Sequence, residues 1–261
     1  MSRKVSYMNV ETSMIASNQI KVVCSLMFWC MVSYAQDVNH ELLKAVIIGN
    51  EAKAKEMLDQ GADVNYIKSG DFTPIMFAAW KGHESVLDLL IERGAAVHAA
   101  NHVGHTPLIM AAREGHVSIV KKLIAHHAVI DFKDYEHGWT ALMYAASNGK
   151  TEVVDILLKS GADVNMTNHY GGNALIHAVM NNQMESVNNL LKNGADVNQQ
   201  TALGETALMW AVKKGYVHLV DILFRAGADP NLRSSEGLNV LEIAESTNQP
   251  EVADQIRARM Q

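Results

Sequence analysis

The chain has 261 residues, of which 48% are hydrophobic and 19% are charged, and its formal net charge is −6. This composition is typical of an ordered protein with a continuous core and excludes an intrinsically disordered chain. Because an acidic protein repels phosphate backbones, the charge also argues against nucleic-acid binding.

The first 35 residues predict a secretory signal peptide. Lys21 precedes the apolar run 22–32, and Ser33-Tyr34-Ala35 supplies small residues at the two positions that a signal peptidase reads. We therefore expect cleavage after Ala35 and a periplasmic or secreted protein. The alternative is a membrane anchor, but an apolar helix of this length reaches roughly 17 Å, short of a bilayer core of about 30 Å.

Cleavage would change both the charge and the cysteine content. Residues 1–35 carry three basic side chains and one acidic side chain, so their removal changes the net charge from −6 to −8. Cys24 and Cys30 also lie in this segment. The mature chain would thus be free of cysteine and suited to an oxidising compartment. Met1 and Met14 are both candidates for the true start.

A five-residue sequence recurs along the rest of the chain. Gly-Ala-Asp-Val-Asn occurs, intact or altered, at 61–65, 94–98, 127–131, 161–165, 194–198 and 227–231. Successive starts are separated by 33, 33, 34, 33 and 33 residues. A fixed period of this size indicates one supersecondary unit copied end to end, which buries its apolar face only against its neighbours.

The unit that ends at residue 165 predicts two short helices. Thr140 is a candidate N-cap for a first helix that continues through Ser147. Gly149 turns the chain in a left-handed conformation, and a second helix is expected over 151–159. The stretch between units supplies a turn that projects sideways, so each unit consists of a turn and two helices.

These units resemble ankyrin repeats. The family's Thr-Pro-Leu-His helix opening is matched by Thr73-Pro74-Ile75-Met76 and Thr106-Pro107-Leu108-Ile109, and its Gly-His turn by Gly82-His83 and Gly115-His116. The resemblance covers about residues 37–261. It implies an all-α ankyrin solenoid of helix-turn-helix units with projecting β-turn fingers.

The chain departs from the family pattern in three places. Met or Ile replaces the His of the opening, so packing must compensate for the hydrogen bond that His makes. Asn182-Gln183 replaces one Gly-His turn, where Asn can still adopt a left-handed conformation. The 34-residue spacing places one extra residue between Asp134 and Gly138, which should distort that finger.

The resemblance implies about seven units, two of which are caps. The expected boundaries are a signal peptide over 1–35 and an ankyrin repeat domain over 36–261, divided into a cap 37–65, full repeats 66–98, 99–131, 132–165, 166–198 and 199–231, and a C-terminal cap 232–261. The cap helices are expected at 41–48, 51–60, 239–245 and 250–259. These units leave no room for a separate catalytic domain.

No motif suggests catalysis, a cofactor or a metal site. The twelve histidines invite a metal interpretation, but His83 and His116 occupy the structural turn of the family. The remaining histidines lack ligand spacing on one helix. Because no unit combines a nucleophile with a base, we expect a protein without cofactor or enzymatic activity.

Candidate partner-binding residues follow from the resemblance. Ankyrin repeats vary at the turn tips and at the exposed end of the first helix, which together line a concave groove. The corresponding residues are Phe72, Trp80, His102, His105, Arg113, Glu114, Tyr135, Trp139, Asn148, His169, Tyr170 and Asn181. Phe72, His105 and Trp139 are repeat-equivalent and should form a row of interface anchors. The alternative is that each packs on its neighbouring finger.

Trp210 is assigned differently. It shares its repeat position with Phe77, Met110 and Tyr144, which should face the next unit, so we expect Trp210 in the core. The groove of the fifth unit is then expected to lack an aromatic anchor.

The sequence therefore favours a non-catalytic, monomeric interaction scaffold that binds an unknown protein partner through the concave face. Inhibition or immunity towards a partner, or an accessory role for a periplasmic enzyme, would suit an acidic binder without cofactor. No nucleic acid is expected as a partner, and no membrane after signal cleavage. The alternatives are a host-directed or structural exported interaction protein and, third, an enzyme.

Overall fold

The computed structural model describes residues 37–68 and 70–260. The described residues form fourteen helices and no β-strand, with one isolated bridge between Lys68 and Phe72. The helices are α1 (37–48), α2 (Glu51–Asp59), α3 (Pro74–Lys81), α4 (Glu84–Glu92), α5 (Pro107–Glu114), α6 (Val117–Ala125), α7 (Ala141–Ser147), α8 (Thr151–Lys159), α9 (Ala174–Met180), α10 (Met184–Lys192), α11 (Ala207–Lys214), α12 (Val217–Arg225), α13 (Val240–Ser246) and α14 (Pro250–Arg259). The predicted signal peptide lies outside the described residues.

The helices form seven consecutive pairs. The first helix of each pair, called the inner helix, packs on the inner helices of the adjacent pairs: α5 contacts α3 and α7, and α9 contacts α7 and α11. The second helix of each pair, called the outer helix, packs on the outer helices of the adjacent pairs in the same way, as α6 does on α4 and α8. This nearest-neighbour packing is that of a solenoid, and the predicted all-α repeat architecture is confirmed.

A polar side chain caps α7, as the sequence predicted, and another caps α9. The hydroxyl of Thr140 accepts a hydrogen bond from the Met143 amide at 3.4 Å, and the side chain of Asn173 accepts one from the Ile176 amide at 3.0 Å. Each bond satisfies an amide that the helix itself leaves unpaired. At the other end of α7, Gly149 has a φ of +64°, which permits the turn into α8.

At the start of the inner helices, buried apolar side chains occupy the position where the ankyrin family has a histidine. The residues at this position expose 1% or less of their surface: Met76, Ile109, Met143, Ile176 and Met209. Ala145 and Ala146 of α7 are likewise fully buried, where α7 packs between α5 and α9. The expectation that packing compensates at these positions is confirmed.

The Asn that ends the recurring pentapeptide links each unit to the next. The side-chain oxygen of Asn165 accepts a hydrogen bond from the Asp196 amide at 2.8 Å, and its amide nitrogen donates to the Gly194 carbonyl at 3.2 Å. Asn65 and Asn198 make the same pair of bonds to the units that follow them. These bonds between units give a physical reason for the recurrence of Asn.

The extra residue of the third full unit lengthens its finger. In the regular finger of the second unit, the Asn101 amide donates to the His105 carbonyl at 3.1 Å. In the third unit, the Asp134 amide donates instead to the Trp139 carbonyl at 3.0 Å, so the loop closes one residue later. The predicted distortion is therefore a longer loop.

Successive fingers are joined by single backbone hydrogen bonds. The Tyr135 amide donates to the Val103 carbonyl and the His169 amide to the His137 carbonyl, both at 2.9 Å. The fingers approach so closely that a Cβ atom on Gly104, whose φ is +86°, would lie 2.5 Å from the Tyr135 nitrogen. The fingers thus form a continuous wall beside the inner helices.

The amino-terminal cap departs from prediction at its first helix. The chain is already helical at residue 37, four residues before the expected start at 41. Val38 exposes only 6% of its surface, so the apolar face of α1 extends further than expected and favours helix there. On the outer side, Lys44 pairs with Glu41 at 2.6 Å and Lys53 with Glu56 at 2.9 Å, which suits a polar cap surface.

Candidate functional site

A groove runs between the fingers and the inner helices, and aromatic rings follow it across several units. Trp139 lies at the centre, with its ring centroid 5.0 Å from that of Tyr144 and 4.1 Å from that of His177. His105 meets the other side of Tyr144 edge-on at 5.6 Å. Further along, Phe72 lies 5.2 Å from Phe77, so finger rings alternate with rings of the inner helices.

The first hollow lies between the first and second full units. The predicted residues Phe72, Trp80, His105, Arg113 and Glu114 line it, together with Ile109 and Met110. Its volume is only about 190 Å³, because finger side chains occupy much of the space. Arg113 and Glu114 form an ion pair at 3.5 Å on the rim of this hollow. Their opposite charges cancel.

The second hollow lies across the third, fourth and fifth full units and has a volume of about 520 Å³. Trp139 and Tyr170, both predicted site residues, form part of its wall. The residues that sequence reasoning did not assign to the site are His137, Asn168, Gly172, Ile176, His177, Met180, Thr201, Ala202, Leu203, Glu205 and Trp210. This volume falls within the roughly 300–1,000 Å³ that ligand sites occupy in proteins.

Gly172 explains why the second hollow is open. It occupies the finger position that holds Phe72, His105, Trp139 and Glu205 in the other full units. Without a side chain at this position, the groove of the fourth unit stays unfilled between Trp139 and the fifth finger. The glycine was visible in the sequence, but its effect depends on the side chains of three units.

His177 forms the floor of the second hollow as a neutral side chain. Burial lowers the pKa of His177 to about 4. Its Nε2 lies 3.0 Å from the amide nitrogen of Asn168, which donates because a neutral imidazole nitrogen can accept. The oxygen of Asn168 in turn accepts hydrogen bonds from the Tyr170 and Gly172 amides, both at 2.9 Å.

The charged group of the second hollow is already paired. Glu205 and Lys213 form an ion pair beside Trp210, and the ammonium group of Lys213 lies 5.6 Å from the Trp210 ring centroid. His177 is neutral and Glu205 is paired with Lys213, so neither side chain offers an unpaired charge to the hollow. Its apolar aromatic wall can bury an uncharged group without separating an ion pair.

A hydrogen-bond chain runs from the first hollow into the third unit. The Tyr144 hydroxyl donates to the Asp134 carboxylate at 2.9 Å, which leaves its oxygen to accept from His105 Nε2 at 3.1 Å. Burial lowers the pKa of His105, and burial together with the hydrogen bond to Asp134 raises the pKa of Tyr144. This chain bridges the second and third units and holds the rings in the groove.

The predicted residues at the finger tips lie on the rim of the groove. His102, Tyr135 and His169 are exposed. The Nδ1 of His102 donates to the Gly70 carbonyl at 2.7 Å, so this side chain is held against the preceding finger. Tyr135 contacts Phe132 edge-on with a centroid distance of 5.9 Å. For His102 and Tyr135, packing on a neighbour therefore coexists with exposure.

The two predicted asparagines lie at the carboxyl ends of inner helices. Asn148 donates to the Tyr144 carbonyl at 2.8 Å, and Asn181 donates to the His177 carbonyl at 3.0 Å. Asn181 also donates to the Ser147 hydroxyl at 3.0 Å, which joins the third and fourth units. Both are exposed and both satisfy helix ends.

The assignment of Trp210 to the core is corrected by the structure. Trp210 is half-buried and packs against the core, but it also lines the second hollow. The expectation that the groove of the fifth unit lacks an aromatic anchor is therefore wrong. Gly172 lines the same hollow and adds no side chain at the finger position of the fourth unit, which leaves room beside the Trp210 ring.

The part of the chain that the structure describes shows neither a metal-binding cluster nor a membrane-spanning helix. No three His, Cys, Asp or Glu side chains lie close enough there to hold a metal ion. No helix within residues 37–68 and 70–260 has both the length and the apolarity needed to cross a membrane.

Comparisons with known proteins identify relatives of this architecture. A family model for three copies of the ankyrin repeat matches residues 87–168 and 175–258, and a model for many copies matches residues 42–91. No curated protein matches the chain in a sequence search.

Two solved structures are similar over most of the chain. The ankyrin repeat domain of Bcl-3, described as a unique member of the IkappaB protein family, is 30% identical, with 83% of this chain and 97% of that chain covered and a TM-score of 0.72. The human ASB11 ankyrin repeat domain is 25% identical, with 79% of this chain and 95% of that chain covered and a TM-score of 0.72.

Proposed function

Since the chain belongs to the ankyrin repeat family, as its sequence resemblance predicted, we propose that it is a protein-binding scaffold that captures one partner in the groove. Ankyrin repeat domains generally serve as protein–protein interaction modules and are typically non-catalytic. The scaffold acts as a monomer without a cofactor.

The aromatic groove is the observation that carries this proposal. Trp80, Tyr135 and Tyr170 expose 37%, 60% and 58% of their surfaces, and Leu203 exposes 60%. Large side chains exposed along one face mark interaction sites more often than isolated ones do. Aromatic residues of this kind are the commonest anchors of protein interfaces.

The proposed setting is the periplasm or the exterior of the cell. The support is the sequence of the first 35 residues, with its basic, apolar and small-residue regions. In that setting the partner is an enzyme or toxin that the scaffold inhibits, neutralises or assists. Sequencing the amino terminus of the protein from the producing cell tests the setting: a start at Gln36 supports export, and an intact segment 22–32 in a soluble cytoplasmic form overturns it.

The acidic charge of the chain favours a basic partner. Residues 36–261 carry a net charge of −8, and opposite charges accelerate association at low salt. A partner of this kind should associate more slowly as the salt concentration rises. A host-directed role outside the envelope would use the same groove, and the identity of the captured protein distinguishes it.

Affinity capture with matched variants tests the proposal. Immobilised wild-type protein, a Trp80→Ala/Tyr170→Ala variant and a Lys121→Ala control are exposed to the secreted and periplasmic fractions. Lys121 is an exposed residue of α6, on an outer helix away from the groove. A partner retained by wild type and by the control, and reduced at least tenfold on the groove variant, supports the proposal. Equal retention by all three proteins overturns it.

A further inference from the structure

The second hollow combines features that a general interaction surface does not require. It is an open cavity of about 520 Å³ with Trp139, Tyr170 and Trp210 in its wall, and it exists because Gly172 has no side chain. The first hollow, built at the same repeat positions, has less than half this volume. This difference in volume arises from the side chains that this sequence places in the groove and not from the repeat backbone, which both hollows share.

The electrostatics of the second hollow define what it accepts. Glu205 is already paired with Lys213, and the imidazole of His177 accepts a hydrogen bond as a neutral group. A charged occupant would lose its hydration and find no unpaired opposite charge among these residues. The paired charges of the lining therefore favour an uncharged occupant.

The rim indicates that the occupant belongs to a macromolecule. Tyr170 and Leu203 line the hollow but leave 58% and 60% of their surfaces exposed. A small molecule within the hollow would leave these outer surfaces in water, whereas a partner chain lying along the groove would cover them. A second copy of this chain is disfavoured, because residues 36–261 carry a net charge of −8 and two such chains repel each other.

One wall of the hollow also has an unpaired donor. The Nε1 of Trp210 is enclosed and has no hydrogen-bond partner among the described residues. Enclosed polar groups are usually paired, and an unpaired one is unfavourable. This donor belongs to a ring that lines the hollow.

From these observations we infer that the second hollow is an anchor pocket for one uncharged aromatic side chain of the partner protein. The inference rests on the proposed function, since it names the part of the partner that the groove holds. Aromatic side chains bury a large area against aromatic walls and favour offset or edge-to-face contacts.

Single amino-acid amides provide a defined probe for the pocket. The N-acetyl amides of Trp and Phe are titrated into the ¹⁵N-labelled protein, with the Ala, Lys and trimethyl-lysine amides for comparison, and the indole N–H signals are followed by NMR. The Trp210 signal is assigned with a Trp210→Phe variant. We expect saturable shifts with the Trp and Phe amides and dissociation constants in the millimolar range, which suits ligands of this size.

Filling the pocket provides the decisive variant. The φ of Gly172 is not positive, so its backbone conformation suits any residue. A Cβ there would lie 3.2 Å from His177 Nε2 and 3.6 Å from the Asn168 side-chain oxygen. Gly172→Leu should therefore fold and weaken binding of the Trp amide at least about tenfold, by occupying the same volume. Lys121→Leu, which adds the same side chain on the exposed face of α6 and away from the groove, is the matched control and should bind as wild type does.

A rim variant keeps the test independent of the tight packing at Gly172. Leu203→Glu changes an exposed side chain, so it preserves the fold and should weaken binding of the Trp amide at least about threefold. Helical circular dichroism is recorded for every variant.

Four outcomes would overturn the inference: no shift with either aromatic amide, wild-type affinity in Gly172→Leu or in Leu203→Glu, tighter binding of the trimethyl-lysine amide, or a dimer in wild type that Gly172→Leu abolishes. None of the first three outcomes depends on the captured partner. Failure of the pocket is thus distinguishable from failure of the scaffold, which the affinity capture tests separately.

Discussion

The two hollows of the groove are built from the same repeat positions but present different surfaces. In the first hollow, Phe72 fills the finger position and Arg113 and Glu114 form a charged rim. In the second, Gly172 leaves that position empty, and the cavity is more than twice as large. The shared backbone frame therefore sets where the groove lies, while one side chain per unit decides whether the groove is filled or open.

The largest difference between the hollows should appear in their tryptophans. Trp139 packs between Tyr144 and His177, whereas Trp80 contacts Phe77 at a centroid distance of 6.4 Å and has Lys81 over its ring. Trp139→Ala should therefore cost about 3 kcal/mol of unfolding free energy, near the lower end for a large aromatic, and Trp80→Ala about 1 kcal/mol. Urea unfolding measures both. An equal loss would show that Trp139 does not join the third unit to the fourth.

The second hollow should also be the more sensitive to acid. His177 has a folded pKa of about 4, below the ordinary value of 6.5, so its contribution to stability is fully present above about pH 6.5 and is lost as the pH falls towards 4. Between pH 7 and pH 4.5 the loss is about 2 kcal/mol.

Comparison with His177→Gln isolates this effect. Gln can accept the hydrogen bond from Asn168 but does not titrate. Urea unfolding of both proteins at the two pH values should show a smaller acid loss in the variant. The pKa of His105 is also lowered by burial, but His105 is present in both proteins and cancels. Parallel pH profiles would show that His177 is not held neutral by the fold.

The inner helix α7, which lies between the two hollows, should tolerate substitution at its exposed end but not on its buried face. Ala145 lies on α7, between the hollows, and is fully buried. Ala145→Leu should overpack this junction and cost about 1 to 3 kcal/mol. Asn148→Ala, on the exposed end of the same helix, should change the unfolding free energy by about 0.5 kcal/mol or less. If urea melts give the same loss of unfolding free energy for both variants, the assignment of Ala145 to the buried face of α7 and of Asn148 to its exposed end is wrong.

The smallest expected effect concerns the rim. Tyr170 is exposed, and its ring lies 6.1 Å from that of His137 without closer aromatic contact among the described residues. Tyr170→Ala should therefore change the unfolding free energy by about 0.5 kcal/mol or less. A thermal melt is sufficient to measure it. A loss above about 1 kcal/mol would make Tyr170 a structural residue of the finger.

The sequence predicted the frame of the molecule well because local chemistry determines it. Thr140 as a helix cap and Gly149 as a turn each act through their own backbone, and the structure confirms both. Asn182 adopts the expected left-handed conformation, with a φ of 55°. The start of α1 was missed because Val38 is buried by tertiary packing that no local signal shows.

The second hollow was not predictable in the same way. Trp210 resembles Tyr144 in repeat position, and repeat position alone does not determine whether a ring is covered. Coverage depends on the side chain that the preceding finger supplies, which is absent at Gly172. Sequence reasoning found Trp139 and Tyr170 because they lie at variable positions, and missed Trp210 because an inner-helix position usually faces the core.

The affinity of a captured partner for single variants tests the central claim most directly. With the partner in hand, calorimetry compares wild type with Tyr170→Ala, Trp80→Ala and the outer-helix control Lys121→Ala. We expect Tyr170→Ala to weaken binding by about 2 kcal/mol, roughly 30-fold, Trp80→Ala to weaken it less, and Lys121→Ala to leave it unchanged. Wild-type affinity in both groove variants together with a loss in Lys121→Ala would contradict the account and move the binding site to the outer helices.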